Sequence, residues 1–345
     1  MRRTTIKDIA VAVGVSHTTV SYVLNGNTNQ KISEKTKEAV LSAAKKLNYV
    51  PNEAARSLRR DSTECIAVAL EKSITHSRFS GILQGIREEL NKEGYGLLLM
   101  DFHTHKNKKN PDYLESVLQQ RTDGIIYISS DGYPPNCSKR IERHKVPFVG
   151  CDCCPEEALY SVSFDYEKGA FDVACRLYGE GAKRIMYWQP DVDTFQEQYR
   201  INGLKKACEL YPGTSLEICR MPFHNSNSSY EYNSNINDTC RQSLAQSVLP
   251  KLSKYGDRDA VICGWGIMVS HLCSALYHNN SKQLKIALLS DTEIPMIPDL
   301  KILASRPGFI RGGKECVKLL LSQIRNEETA KRIVLAPEPP TYISY

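Results

Sequence analysis

Four side chains within a short stretch carry groups suited to reading another molecule: His17, Thr18, Ser21 and Tyr22. Their imidazole, hydroxyls and phenol can exchange hydrogen bonds with base edges or phosphate oxygens. A face that meets only water is more often Glu and Lys. Between them, Val20, Val23 and Leu24 form an apolar stripe, and Ser16 can cap a helix that starts after it. The four polar groups therefore fall on the exposed side of one short helix.

That helix needs neighbours to hold it. Thr5-Ile6-Lys7-Asp8 fits a capping box, and Ile6, Ile9, Ala10 and Val13 recur at helical spacing, so a first helix starts near residue 6. It stops at Gly14, which can take the left-handed turn. Two short helices around such a turn make a helix-turn-helix. A third helix follows Ser33, with Val40, Ala43, Ala44 and Leu47 marking its buried side. The pattern alone serves a plain packing pair as well as a DNA reader. Beyond it, Pro51 can open the helix-forming run from Asn52 to Arg60, which carries Leu58 and the basic residues Arg56, Arg59 and Arg60. This run is either a hinge helix or a basic linker with one leucine.

Charge separates the alternatives further. Residues 1–60 hold eleven Lys and Arg against four Asp and Glu, leaving 34 basic and 35 acidic residues in the rest. The whole basic excess of the 345-residue chain sits in its first sixth, the footprint of a phosphate-binding module on a neutral body. A chain of this length is expected to divide into a small module and a larger, two-part domain. Twelve scattered cysteines read as reduced thiols, and the cluster Cys151, Cys153 and Cys154 is too tight for ordinary zinc spacing, so no metal or other cofactor is expected. No apolar stretch reaches membrane-spanning length and the start is polar, so the expected location is the cytoplasm.

The motifs in register, Thr5-Ile-Lys-Asp-Ile-Ala, Gly14-Val-Ser-His-Thr-Thr-Val-Ser21, Leu24-Asn25 and Leu47-Asn-Tyr-Val-Pro-Asn52, resemble the lactose-repressor family of bacterial transcription regulators. The resemblance implies that His17, Thr18 and Tyr22 read bases in the major groove. It places Thr5, Ser16, Thr19, Ser21 and Asn25 at phosphates. It also implies a hinge helix that forms on DNA and puts Leu58 into the minor groove, with Asn52, Ala55 and Arg56 beside it. Tyr22 departs from the arginine frequent at that position, which implies a different half-site.

From Glu64 onward, short apolar runs alternate with amphipathic ones. Strands are expected at Cys65–Leu70, Tyr95–Asp101 and Gly124–Ile128, with helices at Phe79–Glu93 and Leu114–Gln120. The alternation restarts after Asp165: helices at Ala170–Tyr178 and Gly203–Leu210, strands at Arg184–Trp188, Ala260–Gly264 and Ile286–Leu289. His224–Asp238, rich in Asn and Ser, reads as a surface loop. The expected fold is thus an all-α helix-turn-helix headpiece on an α/β core of two periplasmic-binding-protein-like lobes with parallel sheets. The expected division is headpiece 1–48, hinge 49–62 and core 63–345. Within the core, an N-lobe of about 63–163 and 294–325 faces a C-lobe of about 164–293 and 326–345.

The family resemblance extends over the core through Phe79-Ser-Gly-Ile-Leu-Gln-Gly-Ile-Arg, Lys92-Glu-Gly-Tyr-Gly-Leu-Leu-Leu, Thr122-Asp-Gly-Ile-Ile, Phe164-Asp-Tyr-Glu-Lys-Gly-Ala and Tyr199-Arg-Ile-Asn-Gly-Leu. It implies an effector clamp at Arg200 and a hydroxyl-binding carboxylate at Asp291. Where the family usually carries Asn-Asp, this chain has Gly264-Trp265-Gly266, so Trp265 either stacks on a ring or plugs the cleft. Phe79, Trp188 and Phe195 are candidates for an aromatic lining and equally for core.

No nucleotide loop, hydrolase elbow or metalloprotease motif argues for an enzyme. The expectation is a dimeric regulator, read as a repressor, on a near-palindromic operator in double-stranded DNA, controlled by a small molecule, a sugar or derivative. The alternatives are a regulator without an effector and a solute-binding protein without a DNA role.

Overall fold

The computed structural model describes residues 4–25, 30–50, 62–70, 77–101, 114–130, 132–133, 136–153, 158–222, 229–278, 284–291 and 300–343. The chain divides into two compact units, residues 1–63 and 64–345.

In the first unit three helices, α1 (Ile6–Val13), α2 (His17–Leu24) and α3 (Glu34–Lys46), pack around Ile9, Ala10, Val20, Val40 and Ala44. The local signals act as expected. Thr5 donates its N–H and its hydroxyl to Asp8 Oδ2, both at 2.8 Å. Gly14 takes φ +73°, and the hydroxyls of Ser16 and Ser33 accept from the N–H groups of Thr19 and Thr36 at 3.0 and 3.2 Å. Leu47 differs from expectation: it lies past the last turn of α3 and is exposed, and its carbonyl accepts the Thr4 hydroxyl at 2.8 Å.

Among the described residues, the second unit holds two six-stranded sheets. The first comprises β1 (Cys65–Leu70), β2 (Gly96–Asp101), β3 (Gly124–Ile128), β4 (Phe148–Cys151), β5 (Tyr160–Phe164) and β11 (Arg332–Leu335), all parallel, in the order β11-β5-β4-β3-β1-β2. The second comprises β6 (Arg184–Pro190), β7 (Ser215–Met221), β8 (Asp259–Cys263), β9 (Lys285–Leu288), β10 (Ile302–Ala304) and β12 (Thr341–Ile343), in the order β12-β10-β9-β8-β6-β7. Its neighbours are parallel except β12, which runs antiparallel to β10. Strands β1, β3, β4 and β8 are covered on both faces, which explains their unbroken apolar runs.

The lobe boundaries need correction. Residues 302–304, expected in the N-lobe, form β10 of the second sheet; residues 332–335, expected in the C-lobe, form β11 of the first. Both strands are too short to show a pattern. The helix between them, Phe309–Ile324, buries Phe309, Cys316, Val317 and Leu320 in the first lobe's core. The expected helix at Leu114–Gln120 is a single turn, Glu115–Leu118, and that at Gly203–Leu210 begins earlier, at Phe195. The expected loop at His224–Asp238 is also corrected: Ser229–Ser243 is a helix, anchored by Ile236 and Cys240 and continued by a π turn that buries Leu244 and Val248. Its Asn- and Ser-rich run carries too few aliphatic residues, Ile236 alone, to show a helical stripe in the sequence.

Candidate functional site

On α2 the structure leaves His17 and Thr18 exposed and Tyr22 half-buried beside them. Ser16 and Thr19 share a 2.9 Å hydroxyl contact at the N-terminus of the helix, where backbone N–H groups favour an anion. Thr5 is exposed at the matching start of α1. Ser21 is corrected: expected on the outer face, it is buried, and its hydroxyl and carbonyl accept from Asn25 Nδ2 at 3.3 and 2.8 Å. Asn25 thereby caps the end of α2. Asn52, Ala55, Arg56 and Leu58, the expected minor-groove group, lie outside the described residues.

In the second unit, each sheet reverses its order next to the first strand that enters it, β1 in one lobe and β6 in the other. Open α/β sheets bind ligands at the carboxyl ends beside such a switch. The helices that follow these strands are Ser77–Lys92 and Phe195–Leu210, and both bring charged residues inward from their first turns.

Arg200 is buried, with its guanidinium 4.8 Å from the centre of the Tyr166 ring. Its Nη1 pairs with Glu197 Oε1 and its Nη2 donates to the Leu289 carbonyl at 3.2 Å, while Nε has no protein partner. Glu197 also accepts the Tyr187 phenol at 2.6 Å. A second buried node is Asp152, just past β4 and in a left-handed conformation at φ +57°. Its Oδ2 accepts from Tyr166 at 2.9 Å and faces Arg78 Nη1 at 3.1 Å. Its carbonyl accepts Gln196 Nε2 at 3.1 Å, which ties the first lobe to the second. Burial pushes the Asp152 carboxyl up, against the pull of Arg78.

The remaining expected cleft residues separate. Phe79 is fully buried in the first lobe's core and Trp188 in the second lobe's, where its indole donates to Ser243 at 3.2 Å; neither lines a cleft. Phe195 is half-buried, edge-on to Tyr199. Trp265 is half-buried and packs on the second lobe's core. Asp291 Oδ2 accepts the N–H groups of Gly308 and Phe309 at 3.0 and 2.8 Å, so this carboxylate caps the crossing helix Phe309–Ile324. Burial pushes it up too, against those two N–H groups.

Arg78, Asp152, Gln196 and Glu197 were not singled out from the sequence. The available signal was charge where a strand ends: Asp152 directly follows the apolar run Phe148–Cys151. It was masked by its cysteine neighbours, of which Cys151 and Cys153 are buried thiols and Cys154 lies outside the described residues. No helix among the described residues is long and apolar enough to cross a membrane.

Comparison with known proteins places these features in context. Residues 5–52 match the family model for bacterial regulatory proteins of the lacI family. Residues 63–233 match that for periplasmic binding proteins and the sugar binding domain of the LacI family. The ribose operon repressor of Bacillus subtilis is 31% identical over 98% of this chain and 97% of its own length. The repressor PurR of Vibrio parahaemolyticus is 28% identical over 95% and 94%. Among solved structures, the lac repressor dimer bound to operator and an anti-inducer superposes with a TM-score of 0.75 at 20% identity, covering 99% of this chain and 98% of that one.

Proposed function

The chain belongs to the lacI family of bacterial regulatory proteins and is a DNA-binding transcription regulator; we propose that it acts as a homodimeric repressor whose operator affinity is set by a small molecule held between the core lobes. The observation that carries the DNA reading is the capped α2, with His17 and Thr18 exposed and Tyr22 beside them. In this proposal these three side chains contact base edges, and Thr5, Ser16 and Thr19 hold phosphates at helix N-termini. Ser21 acts from inside, fixing Asn25. The hinge residues Asn52, Ala55, Arg56 and Leu58 retain their proposed minor-groove role. Two headpieces on a two-fold axis demand a near-palindromic site.

For the effector, Arg200 and Phe195 remain the leading lining residues from the sequence, Trp265 contributes its exposed edge, and Asp152 and Gln196 join them. Asp291 acts on the lobe crossing rather than as a free ligand carboxylate. An effector shifts operator affinity only by binding the two lobe arrangements unequally.

The test is selection from random DNA with the purified full-length protein, followed by titration of the winning sequence at several salt concentrations. A near-palindromic site with steep salt dependence is expected; absence of enrichment, with or without metabolite extract, overturns the proposal.

A further inference from the structure

Helix α3 ends in a motif that fixes where the chain goes next. Asn48 takes the left-handed conformation at φ +46°, and its N–H donates to the Lys45 carbonyl at 3.2 Å. The Tyr49 N–H reaches back to the Ala44 carbonyl at 2.9 Å. This paired capping closes a helix and turns the chain sharply out of it. Tyr49 then packs, half-buried, against the headpiece core. The Leu47 carbonyl lies past the helical ladder, and Thr4 supplies its donor, the hydroxyl at 2.8 Å from 43 positions away in sequence. Thr5, the next residue, is locked to Asp8 by its N–H and its hydroxyl. The proposed phosphate anchor at the start of α1 and the exit from α3 are thus stitched together by one hydrogen bond.

We infer that Thr4 and Asn48 are positioning residues that set which spacing of half-sites the protein accepts. This rests on the minor-groove hinge proposed for residues 49–62. On a two-fold operator each headpiece sits on its half-site while the two hinges meet at the centre, so the spacing is fixed only if the chain leaves each headpiece in one direction. An added base pair moves the half-sites about 3.4 Å apart and about 35° around the duplex. An exit that is free to swing follows that displacement; one held at both Leu47 and Asn48 does not. The left-handed turn at Asn48 adds to the restraint, because few residues adopt it and the chain has little room to vary there. The Thr4 hydrogen bond is exposed, so its loss costs little stability and acts chiefly on direction.

The experiment measures the affinity of the full-length protein for four duplexes: the selected operator, versions with one central base pair added or removed, and a single half-site. The wild type is expected to reject both altered spacings. Thr4→Val should keep wild-type affinity for the single half-site and lose about two- to tenfold of the discrimination between spacings, the worth of one hydrogen bond. Thr4→Ser retains the hydroxyl and should match wild type. Asn48→Ala, which disfavours the left-handed turn, should relax the spacing, and Asn48→Gly should not. A Thr4→Val protein as selective as wild type overturns the inference. So does one that binds all four duplexes more weakly by the same factor, which would make the hydroxyl part of the DNA contact itself. A wild type indifferent to spacing overturns the hinge reading and this inference together, so the wild type tests the first and the variants the second.

Discussion

A Cβ built on Gly85 would lie 1.9 Å from the backbone oxygen of Ile310, closer than any side-chain carbon can come. Gly313 makes the reciprocal approach, its Cβ position falling 2.1 Å from the Ile82 oxygen. The helices Ser77–Lys92 and Phe309–Ile324 therefore touch backbone to backbone, which seats Arg78 at the start of one and the Asp291-capped end of the other. Gly85→Ala forces them apart. Overpacking of this kind costs about 1–3 kcal/mol, so a drop in Tm of several degrees is expected by calorimetry. Gly132→Ala, with open space around it, is the control and should melt like wild type.

Asp259 gives the acid limb of stability. Arg184 donates to both its oxygens, at 2.9 and 2.7 Å, and Gly256 N–H adds a third bond at 2.8 Å. The Arg184 hydrogen bonds hold its carboxyl below the usual range. The unfolded chain then takes up the proton first, so this stabilisation is present above the ordinary aspartate pKa and fades as pH falls through the lower folded value. Asp259→Asn should lower Tm at pH 7 and flatten its fall below pH ~4. An unchanged acid slope in the variant would count against the pair.

Asp152 should behave in the opposite sense. Burial raises its carboxyl, so the folded state takes up the proton first and stability declines as pH rises through the window above the ordinary aspartate value. A ligand that donates to Asp152 favours its charged form and should release a proton on binding in that window. Calorimetric titrations in two buffers of different ionisation enthalpy measure this release directly, and it should vanish in Asp152→Asn.

How far the sequence carried depended on how local each determinant is. The headpiece was legible because Thr5, Gly14, Ser16 and Ser33 act within three or four residues of themselves. The central strands were legible because burial on both faces leaves no room for polar residues. The cleft was not. Asp291 meets its partners 17 and 18 residues away, after the chain has formed β10 and turned toward the other lobe. Helix Phe195–Leu210 turns Gln196, Glu197 and Arg200 inward, so its first half lacks the apolar stripe by which helices are recognised. Ser21 was misplaced for a related reason: a hydroxyl three positions along from exposed Thr18 looks like the same face, yet it closes the end of α2 against Asn25.

The headpiece predictions follow from that division. Tyr22→Ala should relax preference at one base pair of the selected site, with a discrimination loss of about 1–3 kcal/mol, and leave other positions unchanged. Thr19→Val should weaken binding to all sequences alike. Ser21→Ala should act on the headpiece instead, lowering its melting temperature with no change in base preference. Repeating the DNA selection with each variant separates these outcomes, and a changed consensus for Ser21→Ala would restore it to the outer face.

Leu58→Ala tests the hinge. A leucine inserted between base steps costs unstacking that only a deformable central step makes cheap, and the bend it permits brings further contacts. Its loss should therefore reduce affinity for the selected site while non-specific binding, which depends on phosphate charge, stays as it was. The variant should also lose its preference for a flexible pyrimidine–purine step at the centre. Titrating the selected operator, a centre-substituted version and random DNA at one salt concentration gives all three values. Equal operator affinity for wild type and Leu58→Ala would remove the minor-groove role and leave the proposed hinge, residues 49–62, as a basic linker.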